Sequence, residues 1–259
     1  MELIRRFKLY GPFILLLTAA IAVACLFTAG SQAQAEEPEP LFYVENVFGA
    51  EGRQIEVPIK YRDISRMVGV EFILAYDPEI LEPVDVIPSS ALPQDASFEY
   101  NLDHSSNSIK IAAAWSGGGD SYPPPEGEFC RVVFEMLQGG PAGAPAEAPL
   151  SISGLVVGVI ETVGGGDTVV ELDTCSTGDG TADVYEVVYG DVNSDTNVDV
   201  YDAIMVFNIH MGYTSPTPYQ MLAGAVIDGT SVTVDEAILI FNRHMGYYTD
   251  PFPIELIDG

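Results

Sequence analysis

Six oxygen-bearing side chains recur at a regular spacing near the end of the chain. They stand at positions 1, 3, 5, 7, 9 and 12 of a twelve-residue stretch and are Asp191, Asn193, Asp195, Asn197, Asp199 and Asp202. Calcium prefers oxygen ligands, and these are the ligand positions of an EF-hand-type loop, in which position 7 offers its backbone carbonyl. A plain Asp/Asn-rich turn that caps a helix is the alternative, because both residues favour turns and caps. The spacing predicts a calcium site.

This loop is part of a duplicated unit. Gly190–Tyr213 aligns without a gap on Gly224–Tyr247, and 13 of the 24 positions are identical. In the second copy the side chains at positions 1, 3, 5 and 9 are Ala225, Ile227, Gly229 and Thr233. Only Glu236, at position 12, remains a strong ligand. The sequence therefore predicts one calcium ion, in the first repeat, and a degenerate second site.

Each loop is followed by a short stretch with helical periodicity. Ala203–Gly212 and Ala237–Met245 place apolar residues on one face, and glycine ends each stretch, at Gly212 and Gly246. We expect two short amphipathic helices that pack against each other. His210 and His244 lie at equivalent positions, and the repeat favours packing histidines over a pair of metal ligands.

The duplicated unit resembles a dockerin, a module built from two calcium loops that are each followed by a helix. The resemblance rests on Gly190–Ile204, which reads GDVNSDTNVDVYDAI, and on the second copy. It implies a cohesin-bearing partner. The residues that match the family's specificity positions are Val200, Tyr201 and Asn208 in the first copy and Val234, Asp235 and Asn242 in the second. The alternative for the two valines is a core position, because both copies keep them.

Residues 41 to about 184 show short β-rich segments separated by turn residues, which indicates a sandwich of eight or nine strands. Gln54–Tyr61 is typical, since its apolar residues alternate with polar ones and so share one face. Ser176–Asp183 breaks the alternation and is expected to be a linker or the approach to the last strand.

This region resembles a cohesin, the usual receptor of a dockerin. Val68–Leu81, which reads VGVEFILAYDPEIL, is similar to the family's third-strand signature, and Glu126–Phe134 is similar to a late strand. The resemblance implies a nine-stranded jelly-roll that binds dockerin helices on one sheet face. The matching outward residues are Gly69, Glu71 and Ile73. An ordinary surface role is the alternative for Glu71 and Ile73.

The predicted fold class is mainly β: a jelly-roll sandwich followed by a small α-helical unit of duplicated calcium loops and helices. The predicted segments are a leader (1–35), a charged proline-rich spacer (36–40), the sandwich (41–186) and the helical unit (187–259). Basic residues, an apolar run over Gly11–Ala29 and the sequence Ala33–Ala35 are the layout of a secretory signal. The leader is either cleaved after Ala35 or retained as a membrane anchor. Both outcomes predict an extracellular protein.

The net charge limits the class of partner, and the cysteines allow either a disulfide or free thiols. Without residues 1–35 the chain has seven basic and 37 acidic residues, a formal net charge of −30 that excludes nucleic acid. Two cysteines remain, Cys130 and Cys175, and outside the cell they form either one disulfide or two buried thiols.

These features favour a non-catalytic exported scaffold that binds dockerin-bearing proteins through its N-terminal domain and a cohesin-bearing protein through its C-terminal domain. The resemblance implies a polysaccharide-degrading assembly as the setting. The alternatives are a carbohydrate-binding or structural cell-surface protein, and then a polysaccharide hydrolase, for which no catalytic set is recognisable. The chain has a single tryptophan, Trp115, which argues mildly against sugar binding. Because one chain carries both modules, self-association is a further possibility.

Overall fold

Alternating apolar side chains build two β-sheets that pack face to face. The computed structural model describes residues 41–117, 122–227, 229 and 231–252. The predicted leader and spacer lie outside the described residues. The strands, in chain order, are β1 (Leu41–Val44), β2 (Val47–Ala50), β3 (Gln54–Arg62), β4 (Met67–Ala75), β5 (Leu81–Pro88), β6 (Ser97–Asp103), β7 (Ser108–Ala114), β8 (Gly127–Met136), β9 (Ala146–Val163), β10 (Gly166–Glu171), β11 (Ser176–Gly178) and β12 (Gly180–Tyr185).

The first sheet has the order β11-β1-β3-β8-β5, and the second has the order β2-β12-β9-β4-β7-β6 with β10 paired to β9. Neighbours are antiparallel except for the pairs β1/β11 and β2/β12. Strand β4 lies between β7 and β9 and pairs Glu71 with Ala112 on one side and with Val156 on the other. This register places β4 near the middle of the second sheet.

Aromatic rings join the two sheets. Phe42 and Phe129 extend from the first sheet and Phe72 from the second, and their ring centroids lie 5.4 to 5.9 Å apart. All three side chains are fully buried. Edge-to-face and tilted contacts at this distance add roughly 1 kcal/mol per pair to the burial of apolar area. The cluster holds the inner faces together and leaves the outer faces to solvent.

The predicted two-sheet sandwich is confirmed, but the described chain has twelve strands rather than eight or nine. The segment that begins at Leu41 divides into β1 and β2 because the chain crosses from one sheet to the other, so the signature strand is the fourth and not the third. Strand β5 contains Pro83 and Pro88, which it tolerates because it is an edge strand of the first sheet and has a bulge after Pro83. The segment Ser176–Asp183, expected to be a linker or the approach to the last strand, forms β11 and the first four residues of β12.

The helical unit contains α1 (Val200–His210), α2 (Pro218–Gly224) and α3 (Val234–His244). Helices α1 and α3 begin three residues before the predicted starts, because a capping box precedes each of them. Helix α2 was not predicted, since its seven residues are too short for a clear period. It begins with the N-cap Thr217 and a proline at its first position.

The helical unit has a hydrophobic cluster of its own. Ala203 and Val206 of α1 pack with Ala237 and Ile240 of α3, which are the equivalent residues of the repeat. Val192 and Val226, one from each loop, complete this symmetric arrangement and are fully buried. The two copies therefore share one core.

The junction between sandwich and helical unit is packed. The ring of Tyr185, at the end of β12, meets that of Tyr219 in α2 edge-on, with centroids 6.0 Å apart. The guanidinium of Arg53 lies 5.7 Å from the centre of the Tyr189 ring. Gly139 passes so close to this segment that a Cβ there would stand 2.3 Å from the backbone nitrogen of Glu186. These contacts tie the helical unit to the sandwich without a free linker.

In the part of the chain that the structure describes, no helix is long and apolar enough to cross a membrane. Both cysteines of the sandwich are free thiols. Burial raises the pKa of the Cys130 thiol far above its ordinary value, and burial raises the pKa of Cys175 to about 11.

We expect alkylation to distinguish the two thiols, because the thiolate is the reactive form. The experiment uses the chain that starts at Glu36 and iodoacetamide at pH 8. In the native protein Cys175 should react slowly and Cys130 should not react. In urea both thiols should react. Peptide mapping by mass spectrometry reads out each site. The Cys175→Ser variant should show no reaction in the native state. A Cys130–Cys175 disulfide in the secreted protein would contradict the expectation.

Candidate functional site

The first loop folds around the carboxylates at its two ends. Asp191, 2% exposed, accepts hydrogen bonds from the backbone N–H groups of Asp195 at 3.0 Å and Thr196 at 2.9 Å. Ser194 and Thr196 have φ values of 63° and 74°, in the left-handed region, so the backbone curls back over Asp191. Asp195 in turn accepts from the N–H of Asn197 at 2.9 Å, which lowers the pKa of the Asp195 carboxyl.

Asp202 connects the loop to α1. One of its carboxylate oxygens accepts the N–H groups of Val192 at 2.8 Å and Asn193 at 3.0 Å. The other oxygen accepts the N–H of Asp199 at 2.8 Å and so completes the capping box of the helix. Asp202 is fully buried, and burial raises the pKa of its carboxyl despite these three donors. The start of the loop, its end and the first helical turn therefore meet at one side chain.

The donor set of this loop fits calcium in its chemistry. Four carboxylates and two amides lie within twelve residues, and among the described residues no lysine or arginine forms an ion pair with them. The carboxylates are not gathered, however: in the described part of the chain no three acidic, histidine or cysteine side chains lie together as a metal group. The amide of Asn193 donates to Asp195 at 3.0 Å instead. The side chains or carbonyls that would hold the ion belong to Asp191, Asn193, Asp195, Asn197, Asp199 and Asp202.

The second loop has apolar side chains at two of the ligand positions. Ala225, at position 1, is fully buried, and Ile227, at position 3, packs against the helical cluster. Glu236 still caps α3 by accepting from the N–H of Thr233 at 2.9 Å. The second loop thus keeps the helix cap and has apolar side chains in place of two ligands.

The end of the described chain folds back onto the first loop. Gly190 has φ of 92°, and a Cβ there would stand 2.9 Å from Val198 and 3.1 Å from the ring of Phe252. That ring stacks on Tyr248 with centroids 5.7 Å apart, and the guanidinium of Arg243 lies 4.8 Å from its centre. Phe252 therefore packs over the glycine at which the loop begins.

We expect Phe252→Ala to destabilise the helical unit by roughly 2 kcal/mol, about half the cost of truncating a fully buried phenylalanine. Urea unfolding followed by circular dichroism at 222 nm measures the loss. Hydrogen exchange at residues 190–198 should accelerate at the same time. Tyr247→Ala is the control, because that ring is 78% exposed and its removal should change stability by less than about 0.5 kcal/mol. An unchanged urea midpoint for Phe252→Ala would count against the contact.

Helices α1 and α3 expose an apolar surface that the sequence analysis missed. This helix-pair face is lined by Val200, Ala203, Ile204, Phe207, Val234, Ala237, Ile238 and Phe241, four residues and their repeat equivalents. Ile204 and Ile238 are 50% and 52% exposed, and Phe207 and Phe241 are 42% and 41% exposed. The signal was present in the sequence, because both copies have apolar residues at all four of these positions, whereas only the alanines belong to the shared core. A two-fold apolar surface of this kind indicates a binding face.

The predicted specificity residues surround this face. Val200 and Val234 line it and are neither fully buried nor fully exposed. Tyr201 and Asp235 are exposed beside it at the first turns of their helices, whereas Asn208 and Asn242 are half-buried. His210 and His244 are exposed, so the expectation of packing histidines is wrong. The core of the pair is filled instead by the small residues Ala203 and Ala237 and by Val206 and Ile240.

The outer face of the second sheet forms a shallow groove of ≈ 440 Å³. This sheet groove is bordered by β4, β6, β7 and β9, and its side chains are Gly69, Glu71, Ser97, Glu99, Ala112, Ala114, Val156 and Gly158. Two of the predicted residues, Gly69 and Glu71, line it. Ile73 stands on the same strand and is 38% exposed, opposite Lys110 of β7. The alanines of β7 were not predicted, although the sequence shows three in a row.

Small side chains produce the groove. Gly69 pairs with Ala114, and Glu71 with Ala112, so the centre of the sheet lacks the long side chains that would fill it. The ion pair between Glu71 and Lys110, 2.7 Å long, lies at one end and is half-exposed.

The outer face of the first sheet is built differently. Lys60 pairs with Glu45 at 2.6 Å, and Arg131 pairs with both Glu56 and Glu128 at 2.9 Å. Exposed ion pairs of this kind are typical of a solvated surface and add little stability. The groove of small side chains therefore distinguishes the outer face of the second sheet from that of the first.

The fold defines the class: a two-sheet β-sandwich with a groove on one outer face. Residues 42–163, which form most of this sandwich, match the family model of the cohesin domain. Cohesin domains are non-catalytic scaffolding modules.

Solved structures similar to this chain include the non-cellulosomal cohesin of the hyperthermophilic archaeon Archaeoglobus fulgidus, at 21% identity and TM-score 0.44 over 57% of this chain and 93% of that chain. The seventh ScaB type I cohesin of Pseudobacteroides cellulosolvens matches at 14% identity and TM-score 0.48 over 58% and 94%. A chain of the Coh-OlpC–Doc435 complex of Clostridium thermocellum matches at 14% identity and TM-score 0.48. The match covers 61% of this chain and 100% of that chain. No curated protein matches the chain.

Proposed function

We propose that this protein is an exported scaffold that joins proteins through two modules. The cohesin domain binds dockerin-bearing partners on the sheet groove, and the helical unit is a dockerin-like module that binds a cohesin-bearing partner. The observation that carries the proposal is the open groove of small side chains on a domain of the cohesin family. Its setting is extracellular, in line with the predicted leader, and a polysaccharide-degrading assembly is the setting that the family suggests.

The groove suits the surface of helices. A groove lined by Gly69, Ala112 and Ala114 lets a helix approach the sheet backbone closely, and Glu71, Glu99 and Lys110 provide polar contacts at its border. A polar rim around a small apolar centre is common in protein–protein interfaces. Specificity would then come from the charged residues, and most of the affinity from the apolar contact.

Calcium would act on the first loop of the helical unit. Bound there, the ion would draw in the four carboxylates of the loop, with which no lysine or arginine forms an ion pair in the described residues, and it would stabilise the loop that positions α1. Asp202 is the side chain through which that order reaches the helix, because it bonds both to the loop and to the helix cap. Helix α3 depends on Glu236 and on apolar packing instead.

The carbohydrate-binding alternative gains no support from Trp115 or from the sheet groove. Trp115 is 7% exposed and belongs to the hydrophobic core, so its face is not open to a sugar ring. The side chains that line the sheet groove include no aromatic ring. Recognition of a protein surface therefore fits the groove better than stacking on a sugar.

We expect calorimetric titration of the chain that starts at Glu36 to find one calcium site. Asp195→Ala should weaken calcium binding at least about tenfold, because the site loses a charged ligand from an exposed position that the fold does not need. Asp235→Ala is the matched control, since it removes an exposed acid from the second copy and should leave the affinity unchanged. Two comparable sites, or none, would refute the single-site proposal.

A pull-down tests the binding function. With the chain as bait and the exported proteins of its source organism as prey, mass spectrometry should identify proteins that carry calcium loop–helix repeats. EDTA should abolish their capture, because calcium orders the partner's helices. Ala114→Arg should reduce capture by tenfold or more by filling the groove, whereas Gln54→Arg adds the same charge to the other sheet and should leave it unchanged. Undiminished capture in EDTA or by Ala114→Arg would overturn the proposal.

A further inference from the structure

Both recognition surfaces of this chain are open at the same time. On the helix-pair face, Ile204 and Ile238 are about half exposed, and on the sheet groove Glu71 and Ala114 are exposed. The residues that the structure describes therefore cover neither surface. A single molecule presents one apolar helix-pair face and one shallow groove.

The junction keeps these surfaces apart. Helix α2 contacts β2, the edge strand of the second sheet, and the ring of Tyr219 in α2 packs on Tyr185 at the end of β12. The groove lies beyond β9, on β4, β7 and β6. With strands about 4.8 Å apart, β4 and β7 are roughly 15 to 20 Å from β2. To reach the groove of its own chain, the helix pair would have to break the packed junction.

The two surfaces are both apolar at their centres and differ in charge. Phe207 and Phe241 are partly exposed on the helix-pair face, and the groove is lined mostly by glycine and alanine. The groove border carries two carboxylates, Glu71 and Glu99, whereas no carboxylate lines the helix-pair face. Contact between the two surfaces would therefore bury apolar area without setting the acids of one lining against acids of the other.

We propose that the helix-pair face of one copy occupies the sheet groove of a second copy, so that the chains assemble head to tail. The proposal rests on the proposed function, because it names this same chain as a partner of both modules. A contact between two different surfaces does not close on itself, so each dimer leaves one face and one groove free. The structure therefore predicts open chains of molecules rather than a closed two-fold dimer.

Net charge makes the salt dependence distinctive. Two copies with a formal net charge of −30 each repel one another over a distance that salt shortens. Self-association should therefore strengthen as NaCl is raised from 20 to about 200 mM at constant calcium, until local contacts are screened as well.

Sedimentation velocity of the chain that starts at Glu36, with calcium, tests the assembly. The weight-average mass should rise continuously with concentration up to about 100 µM. The double variant Phe207→Glu/Phe241→Glu lacks the helix-pair face, and Ala114→Arg lacks the groove, so each should be a monomer alone. Mixed one to one, they should form a heterodimer and grow no further, because each supplies the surface that the other has lost. Ile204→Glu/Ile238→Glu repeats the test, and circular dichroism establishes that the variants are folded.

Two outcomes overturn the proposal. If Ala114→Arg still dimerises while Phe207→Glu/Phe241→Glu does not, the helix-pair faces meet each other. If the unaltered chain stays monomeric at all concentrations and salt levels, self-assembly is refuted. Capture of loop–helix proteins in the pull-down by such a monomer would leave the proposed function intact, whereas loss of both would refute both.

Discussion

The alternation of side chains along β4 determines what the sandwich can do. Val70, Phe72 and Leu74 are buried against the first sheet, and this burial turns Gly69, Glu71 and Ile73 to the outer face. A slip of one residue would exchange the two sets, at a cost of several buried apolar side chains. The contact of Phe72 with Phe42 and Phe129 therefore secures the outer sheet groove as well as the core. The flanking strand β7 extends the surface with alanines in the matching register.

The two copies in the helical unit differ in how their loops are stabilised. Both copies keep the valine of the loop, the alanine and the branched or apolar residues of the helix core, and an acid at the helix cap. The first copy has oxygen-bearing side chains at all six ligand positions, whereas the second has Ala225 and Ile227 at two of them, and Ile227 packs against the shared core. The first loop is held by hydrogen bonds to its carboxylates, and the second is held mainly by apolar burial. Asp202 and Glu236 mark the difference, because the first bonds to its own loop and its helix, and the second caps its helix.

The junction holds the helical unit against the sandwich by packed side chains rather than by a flexible linker. Tyr185 belongs to β12 and to the helical cluster at once, and Gly139 allows the β8–β9 connection to lie against the segment that follows. The direction in which the helix-pair face points is therefore set by the sandwich. Such a fixed arrangement limits which contacts the helix-pair face and the sheet groove can make within one chain.

The sequence by itself determined the sandwich, the duplication and the loss of ligands in the second loop, because period, repeat and residue type are local properties. Through the resemblance to a cohesin it also placed Gly69 and Glu71 on the outer face. Tertiary structure decided the rest. The division of the first segment into β1 and β2, the strand at Pro83 and the exposure of His210 and His244 depend on which element lies alongside. The groove exists only because β4, β6, β7 and β9 bring small side chains together from distant parts of the chain, and no local pattern specifies that meeting.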